Sequence, residues 1–182
     1  MADHSVTAQP LTPIPADDPA RSLTLVHPDD AGLPHVSVVG ATYTILVPGA
    51  QTEGRYCLVD MLVPPGSGPP PHRHDFEEMF TVLEGDVEFT VRGQTRHARS
   101  GTTVNIPSNA PHAFRNGSRS AARMLCLCVP AGQDEFFLTL GIRVDSRTAV
   151  PPPPSKEEQA RTGMLAKTLL PRFRIELLGD KE

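Results

Sequence analysis

The chain has 182 residues, 17 Lys+Arg against 21 Asp+Glu for a formal charge of -4, and 38% hydrophobic residues. That length suits one domain with one core, and the acidic balance gives no ground for expecting nucleic acid or an anionic membrane as partner. No stretch approaches the 18 apolar residues of a membrane span, and three cysteines do not make a disulfide scaffold.

In chain order, the opening MADHSVTAQPLTPIPADD lacks the basic and apolar regions of a secretory signal. Together with reduced thiols, this sets the expectation of a cytoplasmic protein. Pro10, Pro13, Pro15 and Pro19 lie among small and acidic residues, so residues 1–20 are expected to be a flexible N-terminal segment. From Leu23 the pattern changes to short apolar and β-branched runs, LTLV, VSVVGATYTILV and YCLVDMLV, each ending at Pro, Gly or Asp. These read as strands. EMFTVLEGDVEFTVRG reads as a hairpin turning near Gly85. TTVNI, HAFRN and AARMLCLCV add further short strands with no long helix between them. Residues 21–130 are therefore expected to be an all-β sandwich or barrel.

Residues 131–182 read as a C-terminal extension with short helices packed on the strands. Gln133–Leu140 places Phe136, Phe137 and Leu140 on one side of a short helix. Pro151–Pro154 make a stiff spacer. Ser155 precedes Glu158 by three, the spacing of a capping box, and Ala160, Met164, Leu165 and Leu169 follow at helical intervals. A helix is expected from Lys156 to about Leu170, laid on the outside of the domain. Phe173, Ile175 and Leu177 then alternate as a last short strand.

The chemistry sits in His72, His74, Glu78 and His112. Two histidines separated by two share one face of a strand, Glu78 follows across a short bend, and His112 opens another strand that can face them. Imidazole and carboxylate donors suit Fe, Mn, Ni, Cu or Zn and fit Ca poorly. Three histidines and one carboxylate leave a coordination position open, as a catalytic metal requires. A His-x-His pair alone is weak support for a metal. The surroundings strengthen it.

G66SGPPPHRHDFEEMFTVLEG85 resembles the first signature of the cupin superfamily: glycine, five residues, His-x-His, three or four residues, glutamate, six residues, glycine. G101TTVNIPSNAPHAFRN116 resembles the second, with Asn109 where the family has glycine. Asn is the next residue most willing to take the left-handed conformation, so the turn is expected to survive. The resemblance covers at least Val59 to Val129 and implies a cupin or jelly-roll β-barrel (a double-stranded β-helix) with a short C-terminal helical appendage. It implies one divalent transition metal per subunit on His72, His74, Glu78 and His112, and a homodimer. The tail AGQDEFFLTLG and the proline run resemble small bacterial single-domain cupins of the quercetin-dioxygenase-like kind.

If both histidines of the pair point inward, alternation places Phe80, Val82, Phe89 and Phe114 on the same wall and Arg73 outside. Tyr56, and with it Tyr43, is a candidate for reaching into the pocket. Such a wall suits a small apolar or aromatic substrate with a chelating oxygen group, and Glu78 is the candidate general base. A metal-dependent dioxygenase is the leading reading. A Lewis-acid isomerase or lyase and a small-molecule binding module are the alternatives. No helix-turn-helix precedes the strands, which counts against a DNA-reading regulator. Asp60 interrupts an apolar strand, and Cys57, Cys126 and Cys128 read as small buried hydrophobes.

Overall fold

The computed structural model describes residues 13–149 and 155–179. Residues 1–12 and the Pro151–Pro154 spacer lie outside them. Alternating apolar runs give β1 His35–Val38, β2 Ala41–Val47, β3 Cys57–Val63, β4 His72–His74, β5 Glu77–Glu84 and β6 Asp86–Val91. They continue as β7 Gln94–Arg99, β8 Thr103–Ile106, β9 His112–Arg115 and β10 Ala122–Val129. Helix α1 (Gln133–Leu140), β11 (Ile142–Arg143), α2 (Lys156–Arg172) and β12 (Ile175–Leu177) complete the chain. The expected strand at LTLV does not form: Leu23 and Leu25 are each 90% exposed, and among the described residues no strand pairs with them.

The strands build two antiparallel sheets in jelly-roll order. One runs β11-β1-β2-β3-β10-β5-β8, the other β12-β4-β9-β6-β7. The expectation of a closed β-barrel is thereby corrected, because the sheets share no strand and each keeps two edges. The reason lies partly at Gly85. The expected β5–β6 hairpin is absent: β5 pairs with β10 and β8, whereas β6 pairs with β7 and β9. Gly85, at φ 85°, carries the chain from one sheet into the other. A Cβ there would lie 3.0 Å from both Cα and Cβ of Ala122, so glycine permits the turn and the close approach. The true hairpin is β6–β7, turning through Arg92 and Gly93 at φ 51° and 78°, the two-residue left-handed turn that fits strand twist. Asn109 takes φ 64°, as its place in the second signature requires.

The sheets are held face to face by side chains of period two. Phe80 comes from the seven-stranded sheet, Phe89 and Phe114 from the five-stranded one. Their ring centroids lie 5.3 to 5.8 Å apart in tilted and edge-on arrangements, the geometry that aromatic quadrupoles favour. Val59, Val82, Val87 and Met124 fill the space around them, each at most 1% exposed.

The C-terminal extension closes one end of this arrangement. Buried Asp134, at the start of α1, accepts the Gly49 N–H at 2.8 Å and the Gly132 N–H at 3.2 Å, fixing the helix to the β2–β3 connection. Phe137 packs tilted against Tyr43 at 4.4 Å and Phe136 edge-on against Phe173 at 5.6 Å. Helix α2 begins with the expected capping box, Ser155 and Glu158 each satisfying the other's backbone N–H. Leu169 is its buried residue, while Met164 is 67% exposed, so α2 docks by its C-terminal end. β12 then pairs with β4, setting Leu177 opposite His72 and Ile175 opposite His74. Among the described residues, no helix is long and apolar enough to cross a membrane.

Candidate metal centre

Three chain segments meet between the sheets. β4 carries His72 and His74 with Arg73 between them. Arg73 turns outward and its Nε donates to Glu176 at 2.8 Å. The β4–β9 pairing sets His72 opposite His112, bringing their ring centroids to 4.2 Å. His74 lies 4.8 Å from His112 and is stacked on Phe76 at 3.7 Å. Glu78, on β5, reaches in after the Asp75–Phe76 bend. Its Oε2 lies 3.1 Å from His74 Nε2 and 3.3 Å from His112 Nε2. One ligand atom from each of the four residues falls within 4.8 Å of the others.

The three rings are oriented in the same way. His72 Nδ1 lies 2.9 Å from the Pro70 carbonyl, His74 Nδ1 3.0 Å from that of Phe76 and His112 Nδ1 2.8 Å from that of Ala110. A carbonyl can only accept, so each Nδ1 carries a proton, and each Nε2 is turned toward the shared space, where a neutral ring would offer its lone pair. His112 Nε2 is buried without a hydrogen-bond partner. Three ring nitrogens thus converge on one carboxylate, with those of His74 and His112 at 3.1 and 3.3 Å from its Oε2. Such a cluster is satisfied by a cation.

Titration follows the same geometry. Burial, then the neighbouring His112, holds His72 down at about 4, so its ring is neutral at neutral pH. Burial would raise Glu78, but the imidazoles of His112 and His74 together outweigh it and hold the carboxyl well below the usual range. Both states are those that metal ligation needs.

Behind Glu78 lies a second group. Cys126 Sγ is 3.3 Å and Cys128 Sγ 3.8 Å from Glu78 Oε1, and the two sulfurs are 3.6 Å apart. Glu78, Cys126 and Cys128 form a second candidate metal cluster by distance. The thiols, however, are held protonated. Against the lowering effect of Cys128, burial and Glu78 push Cys126 up to about 12, and Cys126 with burial pushes Cys128 well up. A thiol, rather than a thiolate, is a poor ligand and a hydrogen-bond donor to the carboxylate.

The expected pocket wall divides. An apolar cavity of about 160 Å³ opens beside His72 and Glu78, and Phe114 lines it. Phe80, Val82 and Phe89 are at most 2% exposed and belong to the core between the sheets. Tyr56 is 41% exposed, ahead of β3, and does not line the cavity. Tyr43 does, at 4% exposure, as do Gln133, Phe136 and Phe137 of α1 and Ala166 and Leu170 of α2. Of the two candidate tyrosines, Tyr43 is the one that reaches the cavity. Nothing local in the sequence marks Gln133. Asp60 is fully buried and paired with Arg123 at 2.7 and 2.9 Å, away from the imidazoles.

Residues 59–128 match the family described as the cupin domain. The HTH-type transcriptional regulator PuuR of Escherichia coli (strain K12) is 36% identical over 58 residues, 32% of this chain and 31% of that protein. The match thus spans under a third of that relative's length. An uncharacterized protein of Methanocaldococcus jannaschii, MJ1618, is 29% identical over 87 residues, 47% of this chain and 70% of its own. Among solved structures, KdgF from Halomonas sp. superposes with TM-score 0.50 at 17% identity, covering 56% of this chain and 91% of that one. An RmlC-like cupin from Shewanella frigidimarina gives TM-score 0.50 at 15% identity over 62% of this chain and 99% of that one. These two likenesses concern the fold.

Proposed function

We propose that the single cupin domain formed around residues 59–128, of the RmlC-like superfamily, holds one divalent transition metal per subunit through His72, His74, Glu78 and His112 and uses it to oxidise a small apolar molecule bearing a chelating oxygen group. The observation that carries this reading is the convergence of three imidazoles and the Glu78 carboxylate, with the buried Nε2 of His112 left without a hydrogen-bond partner. When bound, such an ion supplies Lewis acidity toward a hydroxyl and an open position for a second small ligand such as dioxygen.

The chain's own residues do the rest. The Pro70, Phe76 and Ala110 carbonyls hold the imidazoles in the ligating tautomer. Cys126 and Cys128 occupy Glu78 Oε1, leaving Oε2 toward the histidines. Glu78 is the carboxylate on the cavity wall and receives the substrate hydroxyl proton. The apolar wall excludes water.

A second copy of the chain belongs to this reading. Leu58, Leu127 and Met79 stand side by side on the outer face of the seven-stranded sheet, and Met79 is 38% exposed. A two-fold contact between such faces is the commonest closed assembly.

The test is metal analysis of protein purified without a metal-affinity resin, followed by dioxygen consumption with small hydroxylated ring compounds. A stoichiometric ion, with uptake that needs both ion and compound, is the expected result. An ion without uptake would replace oxidation by non-oxidative Lewis-acid chemistry. No ion at all would end the reading.

A further inference from the structure

The cavity beside His72 and Glu78 is specific in size and in polarity. Its volume is about 160 Å³, and an apolar cavity of about 150 Å³ admits one benzene ring. Its floor is the inner face of β2 and β3, with Tyr43 and Met61. Its lid is built from Phe136 and Phe137 of α1 and Leu170 of α2. The volume thus matches one ring.

Four polar side chains line this space: Tyr43, His72, Glu78 and Gln133. His72 is engaged by the Pro70 carbonyl, and Glu78 by the imidazoles and thiols. Gln133 is different. It is 7% exposed, and its Oε1 has no hydrogen-bond partner. Its backbone is held by the next residue, Asp134, which is 2% exposed and bonded to the Gly49 and Gly132 amides. A buried amide oxygen left unsatisfied on the wall of an apolar cavity is a group awaiting a partner.

We infer that Gln133 is a substrate-orienting residue, and that the ligand is a single-ring or equally small apolar molecule whose hydroxyl donates to Gln133 Oε1 while its chelating oxygens face His72 and Glu78. The inference deepens the metal-dependent reading by naming the substrate class. The hydroxyl contact to Gln133 can be measured without any metal. The hydroxyl selects by what its absence leaves behind: a ligand lacking it leaves the amide buried and unpaired.

The test uses the full chain stripped with EDTA, so that failure of the metal reading and failure of this one separate. Toluene, phenol and 3-hydroxyflavone are titrated by NMR against the wild type and Gln133→Met. The expected result is that toluene and phenol perturb α1 and β2 resonances. The phenol-over-toluene preference should fall by about threefold to tenfold in Gln133→Met, the range of one net hydrogen bond. Should Gln133→Met fail to fold, Gln133→Leu is titrated with the same pair. It too lacks the acceptor, so the phenol preference should fall there as well. An unchanged preference, as an ordered water on Gln133 would give, overturns the inference. So does failure of both single-ring probes to bind, or 3-hydroxyflavone binding as tightly as phenol.

Discussion

Cys126 Sγ stands 3.3 Å from Glu78 Oε1, on the carboxylate oxygen that the imidazoles do not touch. One carboxylate is thus divided between a thiol side and an imidazole side. The thiol, pushed up to about 12, remains a donor across the physiological range. Removing the donor while keeping an apolar shape, as in Cys126→Val, should weaken metal affinity by about tenfold, the lower end for lost outer partners of ligating carboxylates. Cys126→Ser, which keeps a donor, should lose less. Competition with a chromophoric chelator reads both.

The ligand set itself is tested by stability. A divalent ion present at about 100 times its Kd should stabilise the wild type by about 2.7 kcal/mol. His112→Ala and His74→Ala should lose that increment. Thermal melts with and without added Mn²⁺ or Zn²⁺ measure it. An equal increment in the His112 variant would show that the ion binds elsewhere.

Acid should loosen the metal-free protein in a defined window. His72 is held at about 4 in the folded state against 6.5 ordinarily, so the unfolded chain takes up the proton first. Its contribution is full above about pH 6.5 and is lost progressively as pH falls toward 4. The depressed Glu78 acts in the same direction, beginning lower, as pH falls below the ordinary carboxylate value of 4.5. Urea midpoints between pH 7 and 4 should decline, with a shallower slope in His72→Phe.

The Asp60–Arg123 pair makes a contrasting prediction. Asp60 is fully buried, and Arg123 grips it at 2.7 and 2.9 Å from the neighbouring strand. Arg123→Met alone strands a buried charge and should cost about 3 kcal/mol, at the low end because the arginine is partly exposed. The double variant Asp60→Val with Arg123→Met should recover most of it. Denaturant unfolding of the wild type and the two variants measures the loss and the recovery.

Gly85→Ala should cost about 2 kcal/mol, because a Cβ at φ 85° meets Ala122. The β6–β7 turn, remote from that crossing, should tolerate Arg92→Asn with little change.

The four converging side chains were legible because strand alternation puts His72 and His74 on one face and the two signature-like segments single out Glu78 and His112. The sheet architecture was less legible. An apolar run, a glycine and a second apolar run look alike whether the strands pair with each other or part to different sheets, and only the partners of β5 and β6 distinguish the two at Gly85. LTLV has strand composition, yet no strand offers it an edge. Tyr43 and Tyr56 differ through the 3-10 turn at Gly49–Thr52, which leaves Tyr56 outside. Gln133 and the thiol contacts of Glu78 depend on how distant elements pack, and that is not written in local periodicity.

The carbonyls that steer the three imidazoles belong to Pro70, Phe76 and Ala110, each two positions from its histidine along the chain. Ring orientation is therefore a property of short peptide stretches and does not rely on remote parts of the molecule. Transplanted into another two-sheet scaffold at matching register, these stretches should arrive already aimed. The surrounding cavity can then drift toward new molecules over evolutionary time without disturbing the grip on the ion.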